Sequence, residues 1–233
     1  MSYLRYVKLI GTMHVSPKSR EEVISTILSE KPHAVAIELD RARFLAMKQN
    51  RELTLEESLR YGKKGLINYV LAKVEERLGE EFGMKPGEEM KAAISAAQTL
   101  GVPLYLIDED INVILAKIAA TPSREKLLMA LEALSVFLPV GVSGSSPDVM
   151  ADYKVMMIQF RLRYPYLYRV LVEERNEVMA RNLISIVNFL KAQGVKKPKV
   201  VAVVGLGHKP GIEHLLNSAK EKAFISSSWS YYQ

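Results

Sequence analysis

The sequence has no cysteine. Disulfides, thiolate metal sites and cysteine nucleophiles are therefore excluded, and any metal must be held by His, Asp, Glu or backbone oxygen. That donor set suits a divalent ion such as manganese, cobalt or zinc. Long apolar runs are missing as well. The longest candidate, Ala130 to Val142, is interrupted by Glu132 and Pro139 and falls short of the ~18 residues a bilayer span needs. The opening residues, Met1-Ser2-Tyr3-Leu4-Arg5, carry no apolar stretch of signal-peptide length, so a cytoplasmic location is the expectation. Charge of one sign is not concentrated either. The 32 Lys and Arg against 26 Asp and Glu give a net charge of +6, yet the two signs are interleaved. The densest basic stretch, Lys191 to Lys199, reads as a solvated loop before a strand, and no nucleic-acid partner is expected. Phosphate loops are absent too: Gly62 to Gly65 follows no strand, and Gly205-Leu206-Gly207 lacks the third glycine.

What is present reads as one α/β domain over residues 1–233, long enough for a substantial core. A strand over 3–10 is followed by a helix to about Ser29, capped by Ser16 or Ser19 and striped with Val23, Ile24, Ile27 and Leu28. Ala34 to Leu39 is a short buried strand, and a helix runs from about Arg41 to Asn50. Thr54 to Gly79 is again helical, Gly83 to Gly87 is a break, and Glu88 to Leu100 is an Ala-rich helix closed by Gly101. Val102 to Asp108 is a third strand. A helical block then covers about 111–193, with a loop over Pro139–Pro147 and a kink at Arg161 to Pro165. The chain returns to a strand over 199–204, a helix opened by Pro210, and an edge strand over Lys222 to Trp229. The alternation predicts a mostly parallel central sheet flanked by helices, with a large α-helical insertion before the last sheet elements.

The chain has only four histidines, and two sit in matched settings. Gly11-Thr12-Met13-His14 and Gly205-Leu206-Gly207-His208 each follow a strand-like run. A glycine there lets the chain turn as it leaves the strand, and the histidine lands at the carboxyl edge of the sheet, where open α/β folds keep their ligands. Glu38 and Asp108 end two other strands and join the same edge. Two imidazoles and a carboxylate are a divalent-metal set with open positions, suited to acidifying a bound water or polarising a carbonyl. Each residue also has a plainer reading. A strand-end His is often a structural hydrogen-bonder, Glu38 alone reads as a cap for the next helix, and Asp108 as a cap for the helix from Asp110 or the partner of a local lysine. Arg43 reads either as surface charge or as a guanidinium bent back to the edge. In Glu173 to Asn182, the dense charge reads as a solvated face unless the packing of Met179, Ala180 and Leu183 aims one charged stripe inward. His33 reads as a turn residue and His214 as structural.

Taken together, Gly11-Thr12-x-His14 with Ser16 and Ser19, Val35 to Asp40 with Arg43, Glu174-Arg175-Asn176 with Met179-Ala180, and Val204-Gly205-x-Gly207-His208-x-Pro210-Gly211-Ile212 resemble the TraB/PrgY family. That family, named for pheromone shutdown in bacterial conjugation, is similar to the Tiki, ChaN-like and erythromycin-esterase-like groups. The resemblance covers about residues 5–216 and includes Gly87-Glu88-Glu89-Met90 and Leu106-Ile107-Asp108. It implies an α/β fold whose shared site holds His14, Glu38 and His208, with Arg43, Glu89, Asp108, Glu174 and Arg175 as further members. It also implies hydrolase chemistry, since Tiki relatives are described as metal-dependent proteases, or sequestration of a peptide pheromone. Two departures stand out. Many prokaryotic members carry a C-terminal hydrophobic membrane region that this sequence does not have, and the usual Asp-Arg after the third strand is here Asp108-Glu109.

The expectation is a metal-dependent hydrolase of peptide or amide bonds. His14, His208 and Glu38 would hold a divalent ion, with Glu38 as ligand or general base. Arg43, Glu174 and Arg175 would complete the catalytic set, and Glu89 and Asp108 would face substrate. The alternative is a non-catalytic peptide-binding or sequestering protein, and the Met- and Leu-rich helical block also reads as a homodimer platform.

Overall fold

In a computed structural model of the chain, the described residues are 2–12, 17–48, 60, 62, 87–136, 149–219 and 231–232. His14, Ser16, most of the expected helix over Thr54–Gly79, the Gly83–Pro86 break, the Pro139–Pro147 loop and the expected edge strand over Lys222–Trp229 lie outside them. Four parallel strands form the sheet: β1 (Val7–Thr12), β2 (Ala34–Ile37), β3 (Leu104–Leu106) and β4 (Val200–Gly205). Their order is β1-β4-β2-β3, with β5 (Tyr231–Tyr232) antiparallel on the edge of β3. The last long strand is thus wedged between the first two, pairing Gly11 with Val204 on one side and Ile37 with Val203 on the other. β4 is buried at every position, and its unbroken Val-rich run suits a strand covered on both faces.

The helices are α1 (Pro17–Glu30), α2 (Arg41–Lys48), α3 (Glu88–Leu100), α4 (Ile111–Ala119), α5 (Ser123–Val136), α6 (Val149–Arg163), α7 (Pro165–Tyr168), α8 (Glu174–Ala192) and α9 (Lys209–Ser218). α8 and α9 cover one face of the sheet. Met179, Ala180, Leu183, Ile186, Val187 and Leu190, recurring at three and four residues, pack on Ala36, Ala202 and Val204. Val23 and Ile27 of α1, Phe44 of α2 and the alanines of α3 cover the other face, against Val35, Ile37, Val201 and Val203. The architecture is the expected α/β sheet between helical layers.

Local differences have local causes. Tyr3–Tyr6, read as the start of a strand, is a 3-10 turn whose cap Ser2 accepts from the Leu4 N–H. It is held on α8 by the Lys191 ammonium, 4.2 Å from the Tyr6 ring centroid. The kink lies at Tyr164, between α6 and α7. Here the buried Glu125 carboxylate accepts from the free N–H groups of Tyr166 and Leu167 at 2.9 and 3.1 Å. Between α7 and α8 the helix widens to a π-turn over Arg169–Glu173. Such turns carry a residue beyond the α-helical repeat and shift the phase of the helix on their C-terminal side.

Candidate functional site

All four parallel strands end at one edge of the sheet, so residues just beyond β2, β3 and β4 meet there. Glu38 follows β2 directly. Its backbone N–H reaches the Val203 carbonyl at 3.0 Å, and its Oε2 accepts from the Gly205 N–H at 2.6 Å. The carboxylate therefore spans the end of the neighbouring strand instead of capping α2. Asp40 makes that cap, its Oδ1 accepting from the N–H groups of Ala42 and Arg43 at 2.7 and 3.2 Å.

Asp108 follows β3 and is bound from two sides. Arg175 of α8 donates from Nε to Oδ1 at 3.0 Å and from Nη2 to Oδ2 at 2.6 Å. Arg43 of α2 bends back to the same Oδ2 and also binds Asp40. Neither local reading of Asp108 holds: Asp110 caps α4 through the Asn112 N–H at 2.7 Å, and Lys117 binds Glu109 at 3.0 Å. The arginine that the resemblance places beside Asp108 is absent from position 109, but two guanidinium groups reach the carboxylate from other elements.

Arg175 is the common member of the site. Its Nη2 also donates to Glu38 Oε1 at 2.5 Å, and its Nη1 donates to the Leu171 carbonyl in the π-turn at 3.2 Å. Burial pushes both carboxyls up, but His208 and Arg175 outweigh it at Glu38, and Arg175 and Arg43 outweigh it at Asp108. Both carboxyls therefore sit below their usual range. The Arg175 guanidinium is held charged by the same two carboxylates against its own desolvation.

His208, the N-cap of α9, lies buried at the end of the second Gly-x-x-His turn. Its Nδ1 meets Asn176 Oδ1 at 2.8 Å, and its Nε2 stands 3.3 Å from Glu38 Oε1. The carboxamide oxygen only accepts, so the proton belongs on Nδ1. Asn176 gets this close because residue 211 is glycine: a methyl group there would fall 2.2 Å from Asn176 Nδ2.

The structure thus brings Glu38, Arg43, Asp108, Arg175 and His208 into one contiguous network. Glu174 points elsewhere, to Lys117 at 2.8 Å and Arg169 at 3.4 Å. Glu89 is wholly buried in the first turn of α3, whose N-cap Gly87 stands against Met47 of α2. His14 would follow β1 by two residues but lies outside the described residues. Sequence reasoning did not assign roles to Asn176, Asp40 or the Gly205 N–H. All three stand inside the motifs that carry the family resemblance, and Asn176, one residue from Arg175 in a charged run, is the kind of buried amide that packing alone reveals.

A divalent ion needs several donors gathered within reach of one point. Among the described residues no cluster of three or more His, Cys, Asp or Glu side chains is placed to hold one. Glu38 Oε1 and His208 Nε2 form a pair, and two atoms each ~2.1 Å from one ion stand about 3.0–3.4 Å apart, which their 3.3 Å separation matches. The Asn176 bond to Nδ1 is the outer support a metal-binding imidazole requires. The described pair fits as two ligands of such an ion.

Among the described residues no helix is long and apolar enough to cross a membrane. Comparison with known proteins extends this picture. An uncharacterised protein of Methanocaldococcus jannaschii is 35% identical over 225 residues, which cover 90% of this chain and 53% of that protein. Human TraB domain-containing protein is 29% identical over 231 residues, covering 89% of this chain and 61% of its own length, and its mouse counterpart is 28% identical over the same span. The chain therefore spans between half and two thirds of the length of these relatives. The family model described as TraB/PrgY/gumN matches residues 4–227, and the chain belongs to that family.

Proposed function

We propose that the carboxyl edge of the sheet is the active site of a metal-dependent hydrolase of peptide or amide bonds. The observation that carries this reading is the facing pair His208 Nε2 and Glu38 Oε1, 3.3 Å apart with Nδ1 already committed to Asn176. Two bare lone pairs at that distance repel, so a proton on Nε2 or a cation belongs between them. The charge balance suits a positive charge at this point, whether that proton or a bound cation. Three carboxylates (Glu38, Asp40 and Asp108) meet two guanidinium groups (Arg43 and Arg175), leaving one negative charge in excess among these side chains.

In this reading His208 and Glu38 hold a divalent manganese, cobalt or zinc ion, with His14 as the third expected ligand, and the ion would supply an acidified water or a polarised carbonyl. The chain's own groups do the positioning. Asn176 fixes the imidazole tautomer, and the Gly205 N–H and Arg175 fix the Glu38 carboxylate. Arg43 and Arg175 are both engaged by protein carboxylates, which suits holding the site together better than clamping substrate. Glu38, with its proton affinity lowered by these partners, suits a ligand better than a general base.

The test is metal content and thermal stability of the chain with Mn²⁺, Co²⁺ or Zn²⁺, together with hydrolysis of a peptide mixture followed by mass spectrometry. Stoichiometric binding lost in His208→Ala and His14→Ala is expected, with turnover abolished by chelator. Metal-independent turnover that His208→Ala retains would overturn the proposal. A second reading, a peptide-binding protein without catalysis, is favoured by the same full engagement of Glu38 and both arginines. It predicts peptide binding with no turnover. A homodimer through the helical block would draw on the exposed Val155, Met156, Ile158 and Leu162 of α6, and sedimentation reads it out directly.

A further inference from the structure

One group at this edge has no role in the proposed chemistry. α6 crosses the second Gly-x-x-His turn with Tyr153 and Met157, one helical turn apart, directed at it. A methyl group on Gly207 would stand 2.4 Å from Tyr153 Oη and 3.4 Å from Met157 Cε. The first distance lies far inside van der Waals contact, so the phenol approaches the turn only because residue 207 has no side chain. Val155, Ile158 and Leu162, on the other side of α6, are exposed. The contact with Gly207 is therefore made by one face of the helix. Burial raises the Tyr153 pKa and the Glu38 carboxylate raises it further, so the hydroxyl keeps its proton and lies within the field of the site.

We infer that Tyr153 is a ligand-facing residue of this site: its O–H, held over Gly207, donates a hydrogen bond to the carbonyl oxygen of an amide or ester bound against Glu38 and His208. The inference rests on the reading of the edge as a metal-dependent site. The two guanidinium groups of the edge are already engaged by carboxylates, Arg43 by Asp108 and Arg175 by Glu38 and Asp108. A neutral phenol suits an acyl oxygen, because its bond strengthens as negative charge gathers there. Glycine at 207 leaves the space that admits the phenol.

The experiment is isothermal titration of the full chain, first with Mn²⁺ and then, loaded with Mn²⁺, with acetohydroxamate as the acyl probe. Tyr153→Phe is expected to bind Mn²⁺ as the wild type does and acetohydroxamate about tenfold more weakly, with an unchanged melting temperature. Equal hydroxamate affinity in Tyr153→Phe and wild type, or no hydroxamate binding by the Mn²⁺-loaded wild type, overturns the Tyr153 assignment while the metal reading stands. Failure of the wild type to bind Mn²⁺ overturns both. The packing is checked separately: Gly207→Ala lowers the melting temperature, and the double variant Gly207→Ala/Tyr153→Phe recovers it, because the oxygen that the new methyl would meet is gone. No recovery overturns the placement of the phenol.

Discussion

Glu174 and Arg175 are joined by one peptide bond and end in opposite environments. Arg175 points inward, its side chain 13% exposed, and binds Glu38 and Asp108. Glu174 points outward to Lys117 and Arg169, with side chains 31%, 32% and 56% exposed respectively. In both places opposite charges meet at hydrogen-bond or ion-pair distance, but the surroundings differ. In the interior the partners of a lost charge remain desolvated, whereas at the surface water replaces them. Contact distance alone therefore says little about what an ion pair is worth.

The largest effect is expected at the inward residue. Arg175→Met leaves Glu38 and Asp108 buried without their shared guanidinium, and should cost about 3–5 kcal/mol of stability, read as a lowered urea midpoint. A loss below about 1 kcal/mol would erase the distinction drawn from burial.

An intermediate effect is expected in acid. Asp108 is more acidic folded than unfolded because the arginines outweigh its burial, so its contribution is fully present above the ordinary aspartate pKa of about 4 and fades as pH falls through and below it. Unfolding free energy should decline steadily from about pH 4 downward. Asp108→Asn, although weaker at neutral pH, should show a flatter acid limb. Parallel limbs would mean that the carboxylate is not held charged.

The smallest effect is expected outside. Glu174→Gln should shift stability by about 0–1 kcal/mol and leave metal binding unchanged. A loss as large as that of Arg175→Met would show that the outward face also belongs to the site.

Much of the site was legible because apolar strands ending in Glu38, Asp108 and His208 must deliver those groups to one edge if the strands are parallel. The bend of Arg43 toward that edge was one of two readings that its place on the next helix allowed, the other being surface charge. What was not legible was pairing across the chain. Proximity in sequence pairs Asp108 with Asp110's helix or a local lysine, whereas its partners stand 65 and 67 residues away. Such choices depend on the phase of α8, which the preceding π-turn shifts by an amount that apolar periodicity does not encode. The strand order was equally hidden. Four apolar runs announce a sheet without saying that the fourth lies between the first and second. The two faces of α6 were also hidden: Val155, Ile158 and Leu162 face outward while Tyr153 and Met157 face the turn.

The place of β4 has a consequence in time. A chain emerging from the ribosome presents β1, β2 and β3 long before β4, yet β1 and β2 have no shared edge to close upon. The same late segment that seals the sheet also carries the Gly205 N–H and His208. Closure therefore depends on contacts nearly two hundred residues apart, a topology that folds slowly. The carboxylates and guanidinium groups of the site are thus made first and wait for the keystone strand, which brings the Gly205 N–H and His208 that complete it.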